Sequence, residues 1–287
     1  MLLIRRVEEK VAEMKDATGE TALAALGRPI HLSLTTELNL PRCRVIDLGL
    51  TPYKEALTLQ RRLAGLRAEG RVGDLLLLLQ HPPVITLGRA GRKSHLLVPE
   101  SSLAALGIGF LEVDRGGDIT YHGPGQLVGY PILDLVRHGP DLHRYLRRLE
   151  VVLIETLSSF EIVADRWVGR TGVWVAGRKI ASIGIHLTRW VTRHGFALNV
   201  NVDLAPFELI VPCGIPDVKA TSMAKELSRP VSVNEVIPGL IERFEAEFGV
   251  HLVPTSRSLL LSSNEERRED QLLGPPIQGA IAGIPVS

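Results

Sequence analysis

KIASIGIHL, Lys179 to Leu187, alternates with a period of two. Its odd positions are Lys179, Ala181, Ile183, Ile185 and Leu187, and its even ones Ile180, Ser182, Gly184 and His186, the spacing by which side chains take opposite faces of a β-strand. That period puts Lys179 on the apolar side and leaves Ser182 and Gly184 as small residues on the other, with room for backbone contact with a bound molecule. Upstream, Val173-Trp174-Val175 reads as a strand joined to this one through the turn Ala176-Gly177-Arg178; downstream, Phe196 to Val202 reads as a third.

Further out, helix and strand signals mix. Val45 to Leu48 is a short strand, Pro52 to Glu69 an amphipathic helix, and Leu75 to Leu79 a buried strand that stops at His81-Pro82-Pro83. From Asp141 to Ser159, Leu142, Tyr145, Leu146, Leu149, Val152, Leu153 and Leu157 make one apolar helical stripe, with Arg144, Arg147 and Arg148 off it. Ser232 to Phe248 closes the unit as a helix, Ser232 standing as N-cap three residues before Glu235. The order predicts an α/β (α+β) domain, a mixed β-sheet with flanking helices, over 43–254. Residues 1–42 read as an N-terminal extension in which Ile4, Val7, Val11 and Met14 have helical spacing, and 255–287 as a polar, then Gly/Pro-rich C-terminal tail expected to be mobile.

The bulk numbers exclude several function classes. With 33 Lys and Arg against 32 Asp and Glu, no global charge favours nucleic acid or a membrane surface. The longest strongly apolar run, Leu75 to Leu79, is far below the ~20 residues of a membrane span. Two cysteines, Cys43 and Cys213, are too few and too separated for a disulfide framework or a CxxC metal site, which points to a reducing, cytoplasmic setting. There is no HExxH, no GxSxG, and no histidine at metal-ligand spacing, so no metal is expected. Gly88 to Ser94 resembles a phosphate loop, but Arg92 stands where a glycine is required.

Three segments carry chemistry. RGGDITYHGPGQ, Arg115 to Gln126, has four glycines and a proline in twelve residues, which lets backbone pass close to a ligand while Arg115, Tyr121 and His122 supply polar groups; a Gly-rich hairpin with a structural histidine fits the composition equally. Ile119 to His122 reads as a strand entering that loop. Cys213, in Ile-Val-Pro-Cys-Gly-Ile-Pro, sits on a stiffened loop where reactive residues are found, although a lone cysteine is more often an inert core thiol. A thiolate needs a cation or base beside it, and Lys179 is the candidate; a lysine at a hairpin end can also simply snorkel to water.

HPPVITLGR (His81 to Arg89), RGGDITYHGPGQLVGYPILDL (Arg115 to Leu135), GRKIASIGIHLTRWVTRHGFALNVNVDL (Gly177 to Leu204) and IVPCGI (Ile210 to Ile215), followed by Ala220-Thr221-Ser222, closely resemble the lipoyl(octanoyl) transferase family of lipoate biosynthesis. The resemblance covers roughly 44–250. It implies a fold shared with biotin and lipoate protein ligases, and transfer of octanoyl from octanoyl-acyl carrier protein to a lysine of lipoyl domains, those of 2-oxoacid dehydrogenase E2 subunits and of the glycine cleavage H protein, without a cofactor. Carried over by motif, Cys213 is the acyl-thioester nucleophile and Lys179 lowers its pKa. Arg115, Gly116, Gly117, Asp118, Ile119, Thr120, Tyr121 and His122, with Ser182, Ile183, Gly184, Gly195, Phe196 and Ala197, line the substrate site. His186 after the Ser-Ile-Gly segment and Lys219-Ala220 before Thr221 depart from the usual pattern. Backbone N–H groups near Gly184 or Gly214 are expected to hold the oxyanion, and Arg89, Arg92 and Lys93 to form a patch for acidic protein substrates. The rival readings are an ATP-dependent ligase of the same fold and a non-catalytic acyl- or carrier-binding regulator.

Overall fold

A computed structural model describes residues 40–214 and 218–257, the side chain of Cys213 excepted. The expected extension and tail therefore fall outside the described residues but for 40–42 and 255–257. In chain order the elements are β1 (Arg42–Leu50), α1 (Tyr53–Ala68), β2 (Asp74–Gln80), β3 (Val84–Leu87), α2 (Glu100–Ala105), β4 (Gly109–Glu112), β5 (Ile119–His122), β6 (Gln126–Ile132), α3 (Leu135–His138), α4 (Leu142–Ser158), β7 (Asp165–Trp167), β8 (Arg170–Val175), β9 (Arg178–Thr188), β10 (Val191–Asn199), α5 (Met223–Leu227), α6 (Val233–Phe248) and β11 (His251–Pro254).

Eight strands form one mixed sheet in the order β11-β1-β2-β6-β10-β9-β8-β7, and a second sheet of three runs β4-β3-β5. The large sheet is parallel at β11-β1-β2 and antiparallel from β2 to β7. Its central strand β2 is apolar at every position from Leu75 to Leu79 because both faces are covered. Leu76 and Leu78 pack with Leu149, Leu153, Leu240 and Phe244 of α4 and α6, while Leu75, Leu77 and Leu79 pack with Ala56 and Leu63 of α1. A third cluster, around Ile85, Ile119, Tyr121 and Phe207, belongs to the small sheet.

Local chemistry sets the helix ends. Ser232 accepts from Glu235 N at 3.2 Å and Glu235 Oε1 from Ser232 N at 2.8 Å, a complete capping box at the head of α6. Asp141 caps α4 by accepting from Arg144 N at 3.0 Å, and Arg148, beside the apolar stripe of α4, stacks over Phe248 of α6 at 4.2 Å.

The third strand differs from its expected bounds of Phe196 to Val202: β10 starts at Val191 and ends at Asn199. The two-residue turn before it is Arg189-Trp190, both left-handed at φ 50° and 62°, the conformation of a tight hairpin turn that usually carries Asn or Gly. With neither present, the sequence offers no turn signal there.

Candidate active site

A cavity of about 380 Å3 is lined from β5 and the loop before it, from β6, β9 and β10, from the start of β8, and by Tyr53 at the start of α1. The volume suits a small ligand. Of the residues carried over by motif, Arg115, Gly117 to Thr120, His122, Lys179, Ser182 to Gly184 and Gly195 to Ala197 line it. Gly116 and Tyr121 do not. Tyr121 points into the third core cluster, edge-on to Phe207 with ring centroids 5.5 Å apart.

Lys179 reaches this cavity because β9 is irregular. Val173 pairs with Ala181 but Trp174 pairs with Lys179, so the register slips by one residue between them. Such a bulge reverses the facing of everything on one side of it. Ile180 and Ala181 enter the helix-covered core, Ile183 borders both that core and the cavity, and Lys179 joins Ser182 and Gly184 at the cavity. Strict alternation, which grouped Lys179 with Ala181 and Ile183, is corrected here. The lysine is 6% exposed, its Nζ donates to Thr171 O at 3.2 Å and lies 5.1 Å from the centre of the Trp174 ring. Its backbone is pinned as well: Lys179 N donates to Lys219 O at 2.8 Å and Thr221 N to Lys179 O at 2.9 Å.

The glycine-rich loop crosses β9 closely. Gly116 N donates to Ile185 O at 2.7 Å, and a Cβ on Gly184 would lie 2.8 Å from Gly116 O, so only glycine fits at 184. Arg115 is buried with its guanidinium spread over Thr86, Nη2 donating to Thr86 O and to Oγ1, each at 2.8 Å.

Histidines and tyrosines gather beside the loop. His122 Nδ1 meets Gln126 Oε1 at 2.8 Å, while Gln126 Nε2 donates to Asn199 Oδ1 at 2.9 Å and to Tyr121 O at 3.2 Å. That orientation of the amide makes His122 Nδ1 the protonated nitrogen. Burial, then the neighbouring His81 and Arg115 charges, hold His122 well below its ordinary pKa, so it is neutral. His81 is fixed the same way, Nδ1 to Thr51 O at 2.6 Å and Nε2 to the Tyr130 hydroxyl at 2.7 Å, and burial lowers it to about 4. His194 stands at φ 56°, a left-handed residue that breaks the alternation of β10 and turns the ring towards Tyr53 and Tyr130. Its Nε2 meets Asp114 Oδ1 at 2.9 Å and its Nδ1 the Tyr53 hydroxyl at 3.3 Å. Burial pushes His194 down to about 4 and outweighs the Asp114 carboxylate, itself held low by His194 and Arg193 against its own desolvation. Among the described residues no group of three or more His, Cys, Asp or Glu is placed to hold a metal ion, and no helix is long and apolar enough to cross a membrane.

Tyr53, Val128, Tyr130, Gly169, Arg170, Thr171 and His194 line the cavity without having been singled out from sequence. Tyr130 and His194 stand inside quoted motifs; Tyr53, at the first position of an ordinary amphipathic helix, carried no signal at all.

Cys213 lies in the 3-10 turn Pro212–Gly214. Before it, Val211 N donates to His95 O at 2.7 Å; after it, a Cβ on Gly214 would lie 2.4 Å from Asp118 Oδ2, so the turn rests on a residue that lines the cavity. Gly214 N donates to Val211 O at 3.0 Å, so that N–H is engaged within the turn. Arg89, Arg92 and Lys93 are all exposed, with Lys93 bound to Glu112 at 2.7 Å.

The lipoyl protein ligase A/B catalytic domain matches residues 52–245. Octanoyltransferase of Geobacter metallireducens is 50% identical over 198 residues, 69% of this chain and 90% of its own length; that of Solibacter usitatus is 50% identical over 212 residues, 74% and 96%. In structure the chain is similar to lipoate-protein ligase A bound with ATP, at TM-score 0.63 and 16% identity over 80% of this chain and 94% of that one. It is also similar to the bipartite lipoate protein ligase of Thermoplasma acidophilum, at 0.62 and 17% over 81% and 92%, so the mixed sheet with flanking helices is the lipoate ligase fold. The chain belongs to the lipoyl protein ligase A/B catalytic domain family, on its octanoyltransferase side.

Proposed function

We propose that this octanoyltransferase works in two thioester steps, from acyl carrier protein to Cys213 and from Cys213 to a lysine of a lipoyl domain. The Cys213 thiolate attacks the carbonyl carbon of octanoyl-acyl carrier protein, forms the new C–S bond and breaks the old one, and the departing carrier thiolate takes a proton from the Lys179 ammonium. The acceptor lysine amine then attacks the acyl-cysteine, forms the amide, and returns the cysteine thiolate. The bonds exchanged in the first step are alike, so no ATP is consumed.

The observation that carries this reading is the bulge at Lys179–Ile180, which delivers one buried ammonium to the cavity face of β9. A cation there lowers a neighbouring thiol's pKa and, once it has given its proton to the departing carrier thiolate, takes up the proton of the attacking amine. The loop bearing Cys213 is tied to this lysine's own strand through Lys219 and Thr221 and rests on Asp118, which supports the pairing. His122 is neutral, with Nδ1 committed to Gln126 and Nε2 facing the Thr86 hydroxyl at 3.4 Å, so Lys179 is the principal proton carrier. Apolar walls from Ile183, Phe196, Ala197 and Val128 suit an alkyl chain and keep water from the acyl-cysteine. The lipoyl domains intended are those of 2-oxoacid dehydrogenase E2 subunits and of the glycine cleavage H protein, and the setting is the cytoplasm.

Intact mass after mixing with octanoyl-acyl carrier protein tests it. An octanoyl adduct without ATP, removed by hydroxylamine and abolished by Cys213→Ser, supports the account. Turnover that needs ATP and survives Cys213→Ser would mark a ligase instead.

A further inference from the structure

The cavity has a length, and the structure marks where it stops. Along β9 it runs from Lys179 to Gly184. A strand advances ~3.3 Å over each three backbone bonds, so the seven carbon–carbon bonds of an extended octanoyl chain cover about two to three residues of strand. A chain whose carbonyl lies between the Lys179 ammonium and Ser182 therefore ends beside Gly184 and its cross-strand partner Gly195. Neither glycine carries a side chain to fill that space. The next residues are His194, paired across the strands with Ile185, and against it Tyr53 and Tyr130.

These three groups are polar by composition and apolar by presentation. The Tyr53 hydroxyl is engaged by His194 at 3.3 Å, His194 by Asp114 at 2.9 Å, Asp114 by Arg193 at 2.8 Å, and the Tyr130 hydroxyl by His81 at 2.7 Å. Asp114, Arg193 and His81 do not line the cavity, so the polar atoms of this wall are bonded to one another and to groups behind it, which suits the wall to the apolar end of an acyl chain. Tyr53 is 4% exposed and His194 1%, and with Gln60 of α1 accepting from His194 N at 2.7 Å the wall has little freedom to retreat.

We propose that Tyr53 is the stop that sets acyl-chain length, with His194 and Asp114 as the positioning residues that hold its ring across the end of the cavity. The proposal rests on the octanoyl-transfer reading above.

Acyl-enzyme formation is followed by intact mass with carrier protein loaded with octanoyl or dodecanoyl, for the wild type and for Tyr53→Ala, Tyr53→Leu and Tyr53→Phe, each checked for cooperative unfolding. Shortening the side chain should raise the dodecanoyl-to-octanoyl rate ratio by about tenfold or more, the scale on which an apolar pocket discriminates by size. Tyr53→Phe, which keeps the ring, should hold the ratio within about threefold. Calorimetric binding of octanoate and dodecanoate to the same variants in a Cys213→Ser background reads the ratio without any transfer, so failure of the transfer chemistry leaves this test standing. An unchanged ratio in folded Tyr53→Ala and Tyr53→Leu, or a shift in Tyr53→Phe as large as in Tyr53→Ala, overturns the proposal.

Discussion

Lys179 passes through the space that a side chain on Gly172 would occupy: a Cβ built on Gly172 lies 2.7 Å from Lys179 Cε and 2.8 Å from Ala181 O. Gly172 also sits at φ 131°, where a side chain strains the backbone. Gly172→Ala should therefore displace the lysine before it unfolds the protein. We expect kcat to fall by about 10²-fold, the cost of misplacing a reacting group by about 1 Å, with a smaller change in KM for the acyl donor. Steady-state kinetics beside a thermal melt check this; wild-type kcat in Gly172→Ala would mean that the lysine's path is not important.

Glu150 of α4 supports the same place from behind. It is fully buried, accepts from Gly172 N at 3.1 Å, and meets Arg147 at 2.6 Å and Arg166 at 3.0 Å. Because both arginines keep substantial contact with water, Glu150→Ala strands chiefly the Gly172 N–H, at a cost of about 1–3 kcal/mol. Glu150→Gln, which retains an acceptor, should recover most of the lost stability and kcat in denaturant melts and turnover assays. Equal damage from both variants would assign the effect to charge alone.

Acid should loosen the protein before its carboxylates titrate. Unfolded, the imidazoles of His81 and His194 take up protons near pH 6.5; folded, burial delays this until about 4. Between those values the unfolded chain binds more protons, so the stability these residues contribute is full above about pH 6.5 and is lost as pH falls towards 4. Tm measured from pH 7 to 4 should decline through that window, and less steeply in His81→Gln. A Tm that holds level across it would refute the buried neutral histidines.

Charge reversal at Arg89 and Arg92 should raise KM for the carrier protein several-fold and flatten its dependence on salt, because exposed cations act chiefly on encounter. Lys93, already paired with Glu112, should matter less. Unchanged kinetics in the double reversal would remove this surface from docking.

Much of this architecture was legible because its signals are local. The all-apolar run Leu75 to Leu79 reads as a strand buried on both faces, and Ser232 with Glu235 as a capping box, since each pattern is enforced by the element's own geometry. What stayed hidden depends on backbone departures that no residue type announces. Arg189-Trp190 turns a hairpin without Asn or Gly, His194 takes a left-handed conformation, and the bulge at Lys179–Ile180 moves Lys179 to the face opposite the one its parity indicates. Tyr53 joins the cavity only because α1 packs across β6 and β10, a tertiary fact with no trace in its own helix.

The central claim, that Lys179 activates Cys213, is tested most directly by alkylation rate against pH. The chain has two cysteines, and Cys43 is fully buried with its thiol pushed well up by desolvation, so the label reports Cys213. The account predicts a wild-type profile with its midpoint below the ordinary thiol value of ~8.5, shifted upward by about one unit or more in Lys179→Ala. Coincident profiles for the two proteins would contradict it.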